Sequence, residues 1–272
     1  MFGRGVFAKV NQLMEKIRRH PVVTVIIFWS LLIFCDKAIA SPLVDMIEAP
    51  DIALEVIFKG LELLAAIGLN LWLTKQPLHW QAAIGKNSLI AFGIMGAIVL
   101  FATLAELGNF VDAATIAVIA AVPEEFAFRG VILGSLITHL KIESVSRRVG
   151  AAIVLSSALF SLAHLGNIGS QGLTVTLMQV IEVFGLGCVL GALYVRKGSL
   201  LFPMLAHGFL DYMVTIMHGY AATVGSAGAL NATLFSAVLH MLMYIGLAII
   251  ICKPDSIHQL QQQVGALGER RE

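Results

Sequence analysis

Two adjacent carboxylates lie inside a long apolar stretch of the sequence. Glu124 and Glu125 follow Pro123, and Arg129 comes one helical turn later. On a helix, neighbours point about 100° apart, so Glu125 can pair with Arg129 while Glu124 has no partner on its own helix. An ionisable group at membrane depth costs at least ~2.5 kcal/mol. Such an unpaired carboxylate is suited to general acid–base chemistry, and Pro123 predicts a local widening of the helix.

Two histidines and one aspartate in other apolar stretches could meet Glu124. His164 ends one such stretch, and His207 and Asp211 share a helical face in another because they are four residues apart. Histidines with carboxylates can activate water for hydrolysis, bind a metal such as zinc or relay protons in a transporter. The residue types alone leave these three alternatives open.

The composition indicates that membrane helices position these residues. Of 272 residues, 58% are hydrophobic and 13% charged, whereas soluble domains are about 25% charged. A soluble protein of this size has too much surface to bury so many apolar side chains. The net charge of +1 gives no indication of a nucleic-acid partner. The three cysteines lie far apart in apolar stretches, so neither a disulfide framework nor a thiolate metal site is expected.

The sequence predicts an all-α, polytopic membrane helix bundle with about eight transmembrane helices. Segments near the required length of about 20 apolar residues lie at 21–41, 52–74, 88–108, 112–140, 149–166, 172–195, 199–220 and 232–252. We therefore predict one transmembrane domain over 21–252. A basic amphipathic segment, 1–20, is expected to lie on the bilayer surface, and 253–272 is a polar tail. A signal peptide cleaved near Ala38-Ile39-Ala40 is the alternative for the N-terminus.

Lysine and arginine alternate between the predicted loops. The odd-numbered loops contain neither residue, and 15 of the 18 basic residues fall in the N-terminal segment, the even-numbered loops and the tail. The positive-inside rule then places both termini in the cytoplasm.

Further charged residues fall inside predicted spans. Glu55, Lys59 and Glu62 share one face of the second span. We interpret them as a self-neutralising structural stripe, with part of a polar cavity as the alternative. Glu182 of the sixth span is expected either to line the site or to pair with Arg129.

Three motifs, in order on separate spans, resemble the CPBP family, the CAAX prenyl protease 2 and bacteriocin-processing family also called ABI. They are Glu124-Glu125-x-x-x-Arg129, Phe160-x-x-x-His164 and His207-x-x-x-Asp211. The resemblance covers about 112–213, the expected protease core, and implies an eight-helix intramembrane endopeptidase of the glutamic type.

The resemblance also implies roles for the motif residues. Glu124 is implied to be the general base, and His164 helps to hold the attacking water. Glu125 and Arg129 position the site. Metal-free catalysis is implied, so no cofactor is expected, with zinc as the alternative.

The same resemblance assigns oxyanion stabilisation to His207 and position 211. The eukaryotic prenyl proteases have Asn where this chain has Asp211. Asn can donate a hydrogen bond to an oxyanion, whereas an ionised Asp cannot. Asp211 must then be protonated, orient His207 or bind a metal.

The expected function is hydrolysis of a membrane-associated peptide or protein tail within a bacterial plasma membrane. A non-proteolytic scaffold or bacteriocin-immunity protein with the same fold is the alternative, and a transporter is a third possibility. The sequence does not indicate an oligomeric state.

Overall fold

The computed structural model describes residue 12 and residues 14–81, 84–220 and 233–252. The prediction of an all-α fold is confirmed for these residues, which form helices joined by short loops and contain no strand. Most of the predicted amphipathic segment and the whole of the tail at 253–272 lie outside the described residues.

Eight long helices occupy the described part of the chain, and all but one begin and end within about five residues of a predicted segment. They are α1 Pro21–Val44, α2 Asp51–Leu69, α3 Lys86–Ala105, α4 Phe110–Glu125, α5 Val145–Ala163, α6 Leu173–Lys197, α7 Leu201–His218 and α8 Leu234–Ile251. The exception is α4, which ends at Glu125, although helical structure of other types continues to His139.

Five of these helices, α1, α3, α5, α6 and α8, are long and apolar enough to cross a membrane. Their outward faces carry large apolar side chains, including Phe101 on α3 and Phe235 on α8. The other three long helices, α2, α4 and α7, carry most of the charged and histidine residues singled out above, whereas His164 directly follows α5 and Glu182 lies on α6. The more polar helices therefore hold most of the candidate site residues.

The backbone widens directly after the two adjacent carboxylates. Pro123 lies inside α4, and the helix continues as a π-helix over Phe126–Leu133 before a last α-helical segment at Gly134–His139. A π-helix takes more residues per turn than an α-helix and is frequently found at functional sites. All eight residues of the π-helix are buried, so this irregular segment forms the centre of the core.

Small residues allow the helices around this core to approach closely. Gly187 and Gly191 of α6 face Ser157 and Ile153 of α5. These two glycines therefore contact a neighbouring helix of the same bundle. A larger side chain at either position would force α5 and α6 apart.

At Gly208, α7 approaches α4 tightly, since a Cβ there would lie 2.7 Å from the carbonyl oxygen of Ala117. We expect Gly208→Ala to lower the free energy of unfolding by about 1–3 kcal/mol and to reduce activity, because α7 must move and carries the adjacent His207. Gly150→Ala on α5 is the matched control, since nothing lies within 4 Å of its Cβ position. Thermal unfolding in detergent micelles measures both variants, and equal stabilities would contradict this packing.

Candidate active site

Four of the six predicted site residues line one cavity of about 620 Å³ between the helices. Glu124 lies on α4, His164 directly follows α5, and His207 and Asp211 lie one turn apart on α7. Further lining residues come from α1, α2, α6 and the segment that follows α5. The structure thus brings together side chains that are far apart in the sequence.

Glu124 was predicted to be unpaired, but it has a partner on another helix. Lys59 Nζ of α2 donates a hydrogen bond of 2.7 Å to Glu124 Oε1, and it forms an ion pair of 2.9 Å with Glu62 Oε2. The neutralising pair expected within the stripe is therefore present between Lys59 and Glu62, but Lys59 also pairs with Glu124 outside the stripe. All three residues of the stripe line the cavity together with Glu124, so the alternative interpretation, a polar cavity, is the correct one.

Glu125 points away from the cavity and is completely buried. Its Oε1 accepts hydrogen bonds of 2.8 Å from Arg129 Nη1 and 2.8 Å from His207 Nδ1. Arg129 Nη2 also donates to the carbonyl oxygen of Gly187 at 3.3 Å. The predicted pair of Glu125 and Arg129 is present, and it fixes the orientation of the His207 ring.

Because its Nδ1 donates to Glu125, His207 presents Nε2 to the other two carboxylates. Nε2 lies 3.9 Å from Glu124 Oε2 and 3.5 Å from Asp211 Oδ2. Within the described part of the chain, that buried Asp211 oxygen has no hydrogen-bond partner. A donor or a substrate group entering the cavity could therefore bind between His207 and Asp211.

His164 is fixed by a local hydrogen bond. Its Nδ1 donates to the carbonyl oxygen of Phe160 at 2.9 Å, one turn earlier. Nε2 is then the ring nitrogen that can bind a water molecule in the cavity shared with Glu124.

Phe160 is a site residue whose role the sequence did not reveal. Its ring lies 5.1 Å from the ring of His164 and 6.0 Å from that of His207, both edge-on. The Arg129 guanidinium stacks over it at 4.2 Å from the centroid, a favourable cation–π geometry. Phe160 therefore holds both histidines and the arginine, and its i, i+4 spacing from His164 was the only sequence signal.

Glu182 does not take part in this arrangement. It lies on α6 and contacts His240 Nδ1 of α8 at 2.9 Å. The expectation that Glu182 lines the site or pairs with Arg129 was wrong.

The described residues contain no group of three or more His, Cys, Asp or Glu side chains placed to hold a metal ion. Two carboxylates that could bind a metal already have other partners. Glu124 contacts Lys59, and Glu125 binds Arg129 and His207.

Residues 106–213 match the model of a protein family described as type II CAAX prenyl endopeptidase Rce1-like. The CPBP resemblance is thereby confirmed for this region. Residues 106–213, called the CPBP-like region below, hold all six predicted site residues, whereas Lys59 and Glu62 lie outside it. No curated protein and no solved structure matched the chain. The five apolar helices support an integral membrane protein, and its residues 106–213 are similar to a family of peptidases.

Proposed function

We propose that the protein is an intramembrane endopeptidase in which Glu124 activates a water molecule. The observation that carries this proposal is that the two adjacent carboxylates have different surroundings and therefore different roles. Glu124 faces the cavity with His164 and His207, while Glu125 is buried behind it and holds His207 and Arg129. A polar cavity that shields its reactants from bulk water strengthens each of these interactions.

The proposed reaction begins with a water molecule bound between Glu124 and His164. Glu124 takes a proton from this water as the oxygen attacks the peptide carbonyl carbon. The developing oxyanion is stabilised by a proton on His207 Nε2, and a protonated Asp211 would donate a second hydrogen bond. Glu124 then transfers its proton to the departing amine, which completes hydrolysis and regenerates the carboxylate.

The proposed setting is a bundle of eight spans with both termini in the cytoplasm of a bacterium. The core of the protease is the segment at 112–213, and the substrate is a peptide or a membrane-anchored protein tail. We favour a peptide pheromone, a bacteriocin or another membrane protein over a prenylated tail. Efficient cleavage of prenylated tails alone would overturn that preference.

A comparison of protein termini tests the proposal. Membrane proteins from cells carrying the wild type or Glu124→Gln are analysed by mass spectrometry for cut ends. Ends present only with the wild type support proteolysis and name a substrate. Identical termini, with the variant folded and expressed, would instead favour a scaffold or immunity protein, and altered transport with identical termini would favour a proton-coupled transporter.

We expect catalysis without a metal ion. Chelators such as 1,10-phenanthroline should leave the rate of cleavage unchanged, because Lys59 already supplies a cation at Glu124 Oε1. Metal analysis of the purified protein checks the same point. Stoichiometric zinc that is lost in His164→Ala or His207→Ala would contradict the proposal.

A further inference from the structure

Lys59 contacts the residue proposed as the base, yet it comes from a helix outside the CPBP-like region. That region begins at residue 106, whereas Lys59 lies in the middle of α2. Its side chain is 15% exposed, the same fraction as that of Glu124. An ammonium group this far inside a membrane protein needs compensating charge, and here two carboxylates supply it.

The two contacts of Lys59 have different surroundings. Lys59 Nζ lies 2.7 Å from Glu124 Oε1. The other carboxylate oxygen of Glu124, Oε2, lies 3.9 Å from His207 Nε2. Glu62 Oε2, at 2.9 Å, lies one turn along the same helix as Lys59, and Glu62 is 6% exposed. Lys59 is therefore held from its own helix by Glu62 while it contacts the cavity-facing carboxylate from across the interface of α2 and α4.

We propose that Lys59, held by Glu62, is a positioning residue that keeps Glu124 ready to accept a proton and balances the charge when it does. This inference rests on the proposed function. In the resting site, the ammonium stabilises the carboxylate form of Glu124 and fixes Oε1, which leaves Oε2 for the water. When Glu124 takes the proton and becomes neutral, Glu62 still compensates Lys59, so no unpaired charge remains in the membrane.

Removal of the ammonium should impair turnover. In Lys59→Met, Glu62 and Glu124 lose the cation between them, and two neighbouring carboxylates cannot both stay ionised at little cost. One of them then carries a proton at rest, and a protonated Glu124 cannot accept another. We expect kcat to fall about 100-fold, within the usual range for general acid–base catalysis, with KM within about threefold of the wild type.

Two further variants separate this role from a structural one. Lys59→Arg keeps the positive charge and should restore kcat to within about tenfold of the wild type, the shortfall reflecting the different shape of guanidinium. Glu62→Gln leaves Lys59 with Glu124 as its carboxylate partner, so proton uptake by Glu124 would leave the ammonium uncompensated. We expect kcat to fall about tenfold there, without loss of the fold.

The test uses the purified full chain in lipid vesicles and a fluorescence-quenched peptide that spans a cut site found by the termini comparison. Lys141→Met, at an exposed loop position, is the matched control and should match the wild type. A low kcat in Lys59→Met, rescue by Lys59→Arg and a lowered kcat in Glu62→Gln support the inference.

An unchanged kcat in Lys59→Met, or a raised KM alone, would overturn the role of Lys59. If Lys59→Met fails to fold, Glu62→Gln decides, and a wild-type kcat there would reject the charge-balancing role. Failure of the proposed function would look different. In that case no cut end found in cells would depend on Glu124, and the termini comparison would supply no peptide for this assay.

Discussion

Glu124→Gln is expected to lower kcat for peptide cleavage by about 10²–10⁴-fold. The amide keeps the size of the side chain and can still accept a hydrogen bond from Lys59 Nζ, so the fold should survive. It cannot take a proton from water, and the reaction loses its base. Steady-state cleavage of the quenched peptide in lipid vesicles measures the effect.

The matched control for this change is Glu143→Gln, at an exposed loop position that does not line the cavity. It should cleave at the wild-type rate, and both variants should unfold at the wild-type temperature. A Glu124→Gln protein that turns over within threefold of the wild type would show that another group is the base.

Glu125→Leu is expected to lower the free energy of unfolding by about 3–5 kcal/mol. Glu125 and Arg129 are 0% and 1% exposed, and Phe160 covers the guanidinium. Removal of the carboxylate leaves the buried arginine without its charged partner and frees the ring of His207. Unfolding in mixed detergent micelles measures the loss.

The double variant Glu125→Leu/Arg129→Met separates stability from chemistry. Replacing both members of a buried ion pair by apolar residues is often neutral or stabilising, so most of the lost stability should return. Turnover should stay low, because His207 Nδ1 still lacks the oxygen that orients it. A single variant as stable as the wild type would show that the buried pair contributes little.

The positions of the helices could be predicted from the sequence because hydropathy along a membrane chain is a strong local signal. Segment 172–195, for example, was expected, and α6 spans Leu173–Lys197. The i, i+4 pair of Glu125 and Arg129 was also predictable, because both partners lie on one helix. The motifs in turn placed Glu124, His164 and His207 on separate helices.

The contacts between helices could not be predicted in the same way. Lys59 could pair with Glu62 by spacing alone, and nothing local indicated that its helix packs against α4 opposite Glu124. Glu182 was likewise matched to the wrong partner, since its contact with His240 depends on the packing of α6 against α8. The π-helix over Phe126–Leu133 also depends on tertiary packing, although Pro123 indicated an irregularity nearby.

The central claim is that a water molecule activated by Glu124 attacks the peptide bond directly. It is tested most directly by a single turnover in ¹⁸O-labelled water, with purified protein in excess over the quenched peptide. The account predicts one ¹⁸O atom in the new carboxyl terminus of the product, none in any enzyme carboxylate, and no product with Glu124→Gln. Label in the Glu124 or Glu125 side chain, or labelled product formed at the wild-type rate by Glu124→Gln, would contradict it.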